Sequence, residues 1–306
     1  MITEIEQLFF MKNGYSIKKN SCSMEKNRCL KIYPAMIKEF RTEKEKHKYF
    51  NSLSEPQKME AFREIITLSE HVVFLGGAGV STESGIPDFR SKNGLYRKGD
   101  RKFRRYRPEY LLSYDCLQRE SKLFFEYYRA NLDARFAEPN AAHYALAQME
   151  KEGWLEGVIT QNIDGLHQKA GSVNVEEIHG TTLVNHCVSC RKEFGPDFVF
   201  DSQEPIPRCP VCGQMVRPDV TLYGETLPSP AYDNAWNMVN KADCLIIGGT
   251  SLEVGSAAQL THIFHGKYMI IINKGKTRLT GKADLVFRDS IGKILGGIAF
   301  GDAGHQ

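Results

Sequence analysis

Five short apolar runs, at residues 71–75, 158–160, 244–247, 268–272 and 285–287, recur along the chain with stretches long enough for helices between them. Strands spaced this way cannot join as hairpins; they pair in parallel through crossovers, and a parallel sheet has to be covered on both faces. The spacing therefore predicts an α/β fold, a doubly wound parallel sheet. Met59, Phe62, Ile65, Ile66 and Leu68 recur at helical spacing and predict a helix over 55–70; further helices are expected over 140–152 and 251–265. With 42% apolar residues among 306, the chain can bury a core of one large domain carrying an inserted module.

Residues 1–54 break the pattern. They are rich in Lys, Asn and Ser and show no sustained periodicity, so they read as an N-terminal extension with at most short helices, partly disordered, ahead of a main domain at 55–302. No stretch approaches the roughly 18 consecutive apolar residues of a membrane span. Glu4 and Glu6 stand where a secretion signal carries positive charge, and a soluble cytoplasmic protein is expected. The net charge of +3 does not call for a nucleic-acid partner. A basic cluster from Arg97 to Arg107, around Phe103 and Tyr106, is read as a solvated loop, with attraction of phosphate or an acidic protein surface as the alternative.

The cysteines carry a sharper signal. Cys187-x-x-Cys190 and Cys209-x-x-Cys212 are two pairs separated by eighteen residues, a spacing that suits tetrahedral zinc held by four thiolates. Four thiolates fill the coordination shell and leave no position for a reacting water, so the expected Zn2+, one per chain, is structural. The segment 187–212 also carries Pro196, Pro205 and Pro207 and few strand or helix signals, and it is read as a module inserted in the main domain.

Polar motifs follow the apolar runs. After residues 71–75 come Gly76-Gly77-Ala78-Gly79-Val80-Ser81-Thr82, a turn whose glycines allow close backbone approach to a pyrophosphate; a strand–turn–helix with Ser81 or Thr82 as the cap accounts for the same residues. Pro87-Asp88-Phe89-Arg90 adds an aromatic ring and a cation. Gln161-Asn162-Ile163-Asp164 stands at the carboxyl end of the second run, the edge at which open α/β sheets bind ligands. His179-Gly180 offers a side chain suited to general-base work, though a lone histidine is more often a structural hydrogen-bonder. Thr250 and Ser251 follow the 244–247 run and Asn273 follows 268–272, where ribose contacts and simple capping or turn roles both fit.

Together these segments resemble the sirtuin family: GAGVSTESGIPDFR at 77–90, TQNIDGLHQKAG at 160–171, His179-Gly180, the four cysteines, RPDVTLYGE at 217–225, GTSLEV at 249–254 and IINKGKT at 271–277. The resemblance runs from about residue 60 to 299 and implies a Rossmann-like domain with a small zinc module that removes acyl groups from protein lysines while consuming NAD. It implies that Gly77, Ala78, Gly79, Thr82, Phe89 and Arg90 contact NAD, with Phe89 shielding the reactive ribose carbon and Arg90 gripping phosphate. Gln161, Asn162, Ile163 and Asp164 would surround ribose and nicotinamide, Asn162 and Asp164 joining the catalytic set. His179 would be the general base acting on a ribose hydroxyl, and Thr250, Ser251 and Asn273 would hold the adenosine half. Val220, Leu222, Tyr223, Gly224 and Glu225 would pair with a substrate peptide beside the acyl-lysine tunnel.

The sequence departs from the family at Gly76, where threonine is frequent, and in its N-terminal extension, which the shared core lacks. Family members that prefer acidic acyl groups carry a Tyr-x-x-Arg pair; the nearest segment here is Glu126-Tyr127-Tyr128-Arg129, with Glu126 in the tyrosine's place, so acetyl-lysine is the expected substrate. Two other readings stay open on the residues alone: a protein mono-ADP-ribosyltransferase using the same pocket, and a noncatalytic NAD-binding interaction module. The glycine turn lacks the G-x-G-x-x-G spacing of dehydrogenases. Oligomeric state is not encoded in any of these motifs.

Overall fold

The computed structural model describes residues 37–89, 94–95, 102–253 and 255–301, with the two-residue strands Tyr15–Ser16 and Tyr33–Pro34. Nine strands matter for the site: β1 (Val72–Gly76), β2 (Gly157–Thr160), β3 (Val175–Glu177), β4 (Gly180–Cys187), β5 (Glu193–Phe194), β6 (Val216–Val220), β7 (Cys244–Gly248), β8 (Tyr268–Ile272) and β9 (Leu285–Phe287). Six form one parallel sheet in the order β9-β8-β7-β1-β2-β3.

The five expected runs are all strands of this sheet, within a residue of their predicted ends. Each strand faces apolar surroundings on both sides. Val72 and Phe74 point into one core with Ile246 and Ile270, while Val73 and Leu75 point into another with Leu245 and Ile271. The first core is closed by α2 (Glu55–Leu68), α4 (Ala141–Lys151) and α8 (Ile291–Phe300), the second by α6 (Ser229–Lys241) and α7 (Gly255–His262). This is the doubly wound arrangement. The chain runs from β1 outward to β2 and β3, then returns to the other side of β1 as β7, so the direction of winding reverses between β1 and β7. Ligand crevices in open sheets form at the carboxyl ends of the strands flanking such a reversal.

The sixth strand, β3, was not legible: it is a three-residue edge whose sequence, Val-Glu-Glu, is mostly charged. The segment after the first glycine turn is a 3-10 helix, Ala78–Ser84, ended by Gly85 at φ +85°. Within the stretch read as an extension, α1 (Glu43–Asn51) starts at Thr42, whose Oγ1 accepts from the Glu45 N–H at 3.1 Å. It buries Phe50 in the first core. Its Lys46, 6% exposed, pairs with the buried Asp284 at 2.9 Å and lies over the Tyr268 ring. No described helix is long and apolar enough to cross a membrane.

Between β3 and β7 the chain builds a second, antiparallel sheet in the order β5-β4-β6. It frames the 187–212 segment and leans on α3 (Ser121–Asn131): Phe124, Phe125 and Tyr128 of that helix share a core with Val199, Phe200, Val216 and Val220.

Candidate active site

A cavity of about 1370 Å³ opens where β1 and β7 end, bounded by Ala78, Phe89, Gln161, His179, Leu222 and Ser251 among others. Gly76 and Gly248 lie level in the sheet, and the chain leaves both strands through glycine. The Gly77 N–H donates to the Gly248 carbonyl at 3.2 Å and the Gly79 N–H to that of Gly249 at 2.8 Å. A methyl group at Gly79 would stand 2.7 Å from the Gly249 Cα and carbonyl oxygen, closer than carbon atoms approach, so these glycines let two turns interlock. Gly79 and Ala78 line the cavity, whereas Gly77 is buried beneath it. Thr82 faces the cavity, with its Oγ1 donating back to the Gly79 carbonyl at 2.9 Å.

Opposite this turn, β2 delivers Gln161 to Asp164. The Asn162 amide donates to Ser81 Oγ at 2.9 Å, and the Ser81 hydroxyl donates to Asp164 Oδ2 at 2.6 Å, while the N–H of Leu166, the first residue of α5 (Leu166–Lys169), donates to Oδ1 at 3.0 Å. Burial raises the Asp164 carboxyl above the ordinary carboxylate range, and the Ser81 and Leu166 donors oppose that rise. Burial likewise pushes Glu177, at the end of β3, up to about 7. Gln161 turns the other way, its amide donating to Thr250 Oγ1 at 3.0 Å, so the side chains after β1, β2 and β7 form one connected wall.

His179 follows β3 into the same cavity. Its Nδ1 lies 3.1 Å from the Gln161 carbonyl and its Nε2 lies 3.1 Å from Ser256 Oγ. A carbonyl only accepts, so Nδ1 carries the proton and Nε2 keeps the lone pair. Burial lowers the ring's pKa, and the Gln161 carbonyl resists that change. The neutral imidazole that a general base requires is thereby favoured.

Ser251 and Asn273 line the far end of the cavity; the Asn273 amide donates to the Gly275 carbonyl at 3.0 Å. Ile163, Val220, Leu222, Tyr223, Gly224 and Glu225 line the near side. Several backbone donors there are engaged internally: the Thr221 N–H donates to His179, that of Tyr223 to Leu112, and that of Leu222 to the Glu225 carboxylate. Glu225 itself takes both arms of the Arg217 guanidinium, at 2.5 and 2.9 Å, which outweighs its burial and keeps its carboxyl below the usual range. Arg129 donates to the Val199 and Glu204 carbonyls, and Glu126 pairs with Lys102. Arg90 and Arg97 to Arg101 fall outside the described residues.

At the tip of the antiparallel sheet, the sulfur atoms of Cys187, Cys190, Cys209 and Cys212 all lie within 4.8 Å of one another. Cys187 and Cys212 are 3.4 Å apart and Cys190 and Cys209 3.7 Å apart. Tetrahedral zinc with bonds of about 2.3 Å sets its sulfurs about 3.8 Å apart, so the four thiols fit that ion. Each pair sits on a tight turn in which the residue directly after the second cysteine adopts positive φ: Arg191 at +60° and Gly213 at +73°.

The predicted residues that the structure describes thus converge on two places, the cavity and the cysteine tip, apart from Gly77, which is buried and does not line the cavity; Arg90 lies outside the described residues. Sequence reasoning missed Ser81 as a bridge and Ser256 altogether. Ser81 was visible only as a candidate cap, and its partners lie 81 and 83 residues away.

Comparison with known proteins agrees with this geometry. A family model described as the Sir2 family matches residues 77–256. An NAD-dependent protein deacetylase of Clostridium tetani is 49% identical over 236 residues, 77% of this chain and 95% of that protein. One from Clostridium acetobutylicum is 49% identical over 238 residues, covering 78% and 96%. Among solved structures, a Sir2 homologue in complex with NAD aligns over 78% of this chain and 92% of that one, with 38% identity and a TM-score of 0.71. Sir2 with a p53 peptide and NAD+ aligns over 78% and 95%, with 33% identity and a TM-score of 0.69. The motifs, the interlocked glycine turns and these alignments agree, and the chain belongs to the Sir2 family.

Proposed function

We infer that this protein is an NAD-dependent protein lysine deacetylase. The observation that carries the reading is the convergence of His179, with an unprotonated Nε2, and the Asn162–Ser81–Asp164 network on one cavity at the sheet's reversal point. The cavity is large enough for a dinucleotide beside an extended side chain.

Bound NAD supplies an electrophilic ribose carbon, and with water the acetyl-lysine becomes lysine while nicotinamide and O-acetyl-ADP-ribose are released. The chain's own residues divide the remaining work. Ala78, Gly79, Thr82 and Arg90 meet the phosphates, and Thr250, Ser251 and Asn273 the adenosine half. Phe89 excludes water from the reacting side. Asn162 and Asp164, joined through Ser81, are held rigid and so orient the nicotinamide half at little entropic cost. His179 Nε2 takes a proton from a ribose hydroxyl. The peptide docks along Val220, Leu222, Tyr223, Gly224 and Glu225. Arg129 is committed to the Val199 and Glu204 carbonyls, which supports acetyl over acidic acyl groups. The four cysteines hold Zn2+ as a structural clamp with no reacting position, and four reduced thiols suit the cytoplasm.

Mass spectrometry of an acetyl-lysine peptide incubated with and without NAD tests the reading. Loss of acetyl only with NAD, with nicotinamide and O-acetyl-ADP-ribose appearing together, is expected. His179→Ala should keep its zinc and its NAD affinity and lose turnover by at least about a hundredfold. Nicotinamide release without deacetylation would replace the reading with ADP-ribosyl transfer or NAD hydrolysis.

A further inference from the structure

We propose that Ser256 is a positioning residue for His179, holding the ring at the tilt that its Gln161 contact alone does not fix; the proposal rests on the deacetylase reading for its consequence in turnover. The ring is held at two points. Its Nδ1–H donates to the Gln161 carbonyl at 3.1 Å, and the Ser256 hydroxyl, also at 3.1 Å, has to donate to Nε2, because Nε2 in that tautomer can only accept. The Gln161 carbonyl sets the tautomer, but a single contact leaves the imidazole able to tilt about its last torsion. A second contact on the opposite nitrogen removes that freedom, and it is exchanged for the ribose hydroxyl when Nε2 takes its proton.

Ser256 is itself placed deliberately. It sits on the first turn of α7, reached through a loop in which Gly249 has φ +60° and Leu252 φ +58°. Positive φ at a leucine costs about 1 kcal/mol or more, and burial of the side chain at 1% exposure holds it there. The Tyr232 hydroxyl on α6 donates to the Ser256 carbonyl at 3.3 Å, fastening the start of α7 to its neighbour. The residue therefore reaches His179 from an anchored helix start, 77 positions along the chain.

Nitrogen-15 NMR of His179 in the ligand-free protein reads the proposal directly, beside steady-state kinetics. The wild type should show an unprotonated, hydrogen-bond-accepting Nε2. Ser256→Ala should move that resonance to the position of an unprotonated Nε2 without a hydrogen-bond donor and lower kcat about fivefold, with KM for NAD unchanged, as expected for one lost hydrogen bond. Ser256→Thr, which keeps the hydroxyl, should restore both. An unaltered His179 resonance in Ser256→Ala overturns the proposal, as does a raised KM for NAD with kcat intact, which would make Ser256 a binding residue. If the wild type failed to turn over acetyl-peptide at all, the resonance shift in Ser256→Ala would still stand, so the deacetylase reading could fall without the positional one.

Discussion

The two sheets of this protein are held together by different means. In the parallel sheet, all five residues of β1 and all five of β7 are buried, and each face is sealed by helices. Hydrophobic burial is the main source of its order. The antiparallel sheet has no comparable interior. Strand β4 is buried at only three of its eight positions, and the apolar contacts it has are borrowed from α3. Its tip is built from two turns that present thiols. A body with its own core stays folded when a ligand leaves, whereas one built around an ion does not.

The largest expected effect tests that contrast. Cys187→Ser, or removal of zinc by a chelator, should strip the antiparallel sheet of a metal-binding free energy on the order of 10 kcal/mol. Hydrogen exchange followed by mass spectrometry should then show protection lost at 180–187 and 216–220 and retained at 72–76 and 244–248. Equal loss in both would mean the two sheets fold as one unit. A smaller effect should strike the parallel sheet alone. Lys46→Ala leaves the Asp284 carboxylate buried without its cation, which costs about 3–5 kcal/mol. A urea midpoint that falls while zinc content holds is the expected result; an unchanged midpoint would mean the Lys46–Asp284 pair adds nothing net to the sheet.

The smallest effect is set by acid. His143 and His167 pack with ring centroids 4.8 Å apart behind the cavity wall, and both are buried. Burial pushes His143 down to about 4 and, with His143 adding to it, His167 to about 3. The unfolded chain takes up these protons near 6.5 and the folded one does not, so stability is fully present above that value and falls as pH drops toward the folded values. Each ring should cost about 2 kcal/mol by about pH 5. Unfolding midpoints across a pH series should show this slope, and His167→Asn should flatten it; a wild-type profile already flat would mean the rings are protonated when folded.

What could be read from the sequence follows the same division. The strands of the parallel sheet were legible because burial on both faces writes a continuous apolar run, and the cysteine tip because metal ligation fixes residue type and spacing. Strand β3 escaped because an edge strand has no such obligation. Helix α1, EKEKHKYFN, escaped because its anchors are one aromatic residue, Phe50, and one lysine whose partner lies far along the chain. His179, Asn162 and the glycines were found through motif order. Ser81 and Ser256 act through contacts that chain-local patterns do not record.

The place of β1 in its sheet also bears on the order of assembly. The first strand of the parallel sheet lies at its centre, and one of its two neighbours, β7, arrives only at Cys244, with the covering helix α8 ending at Phe300. The central strand thus waits, exposed on one edge, for nearly the whole chain to be made. The antiparallel sheet closes between Gly180 and Val220 and needs only its ion and α3, which precedes it. Loop-closure entropy favours the nearer contacts, so a growing chain completes its zinc clamp while the nucleotide crevice is still half a sheet.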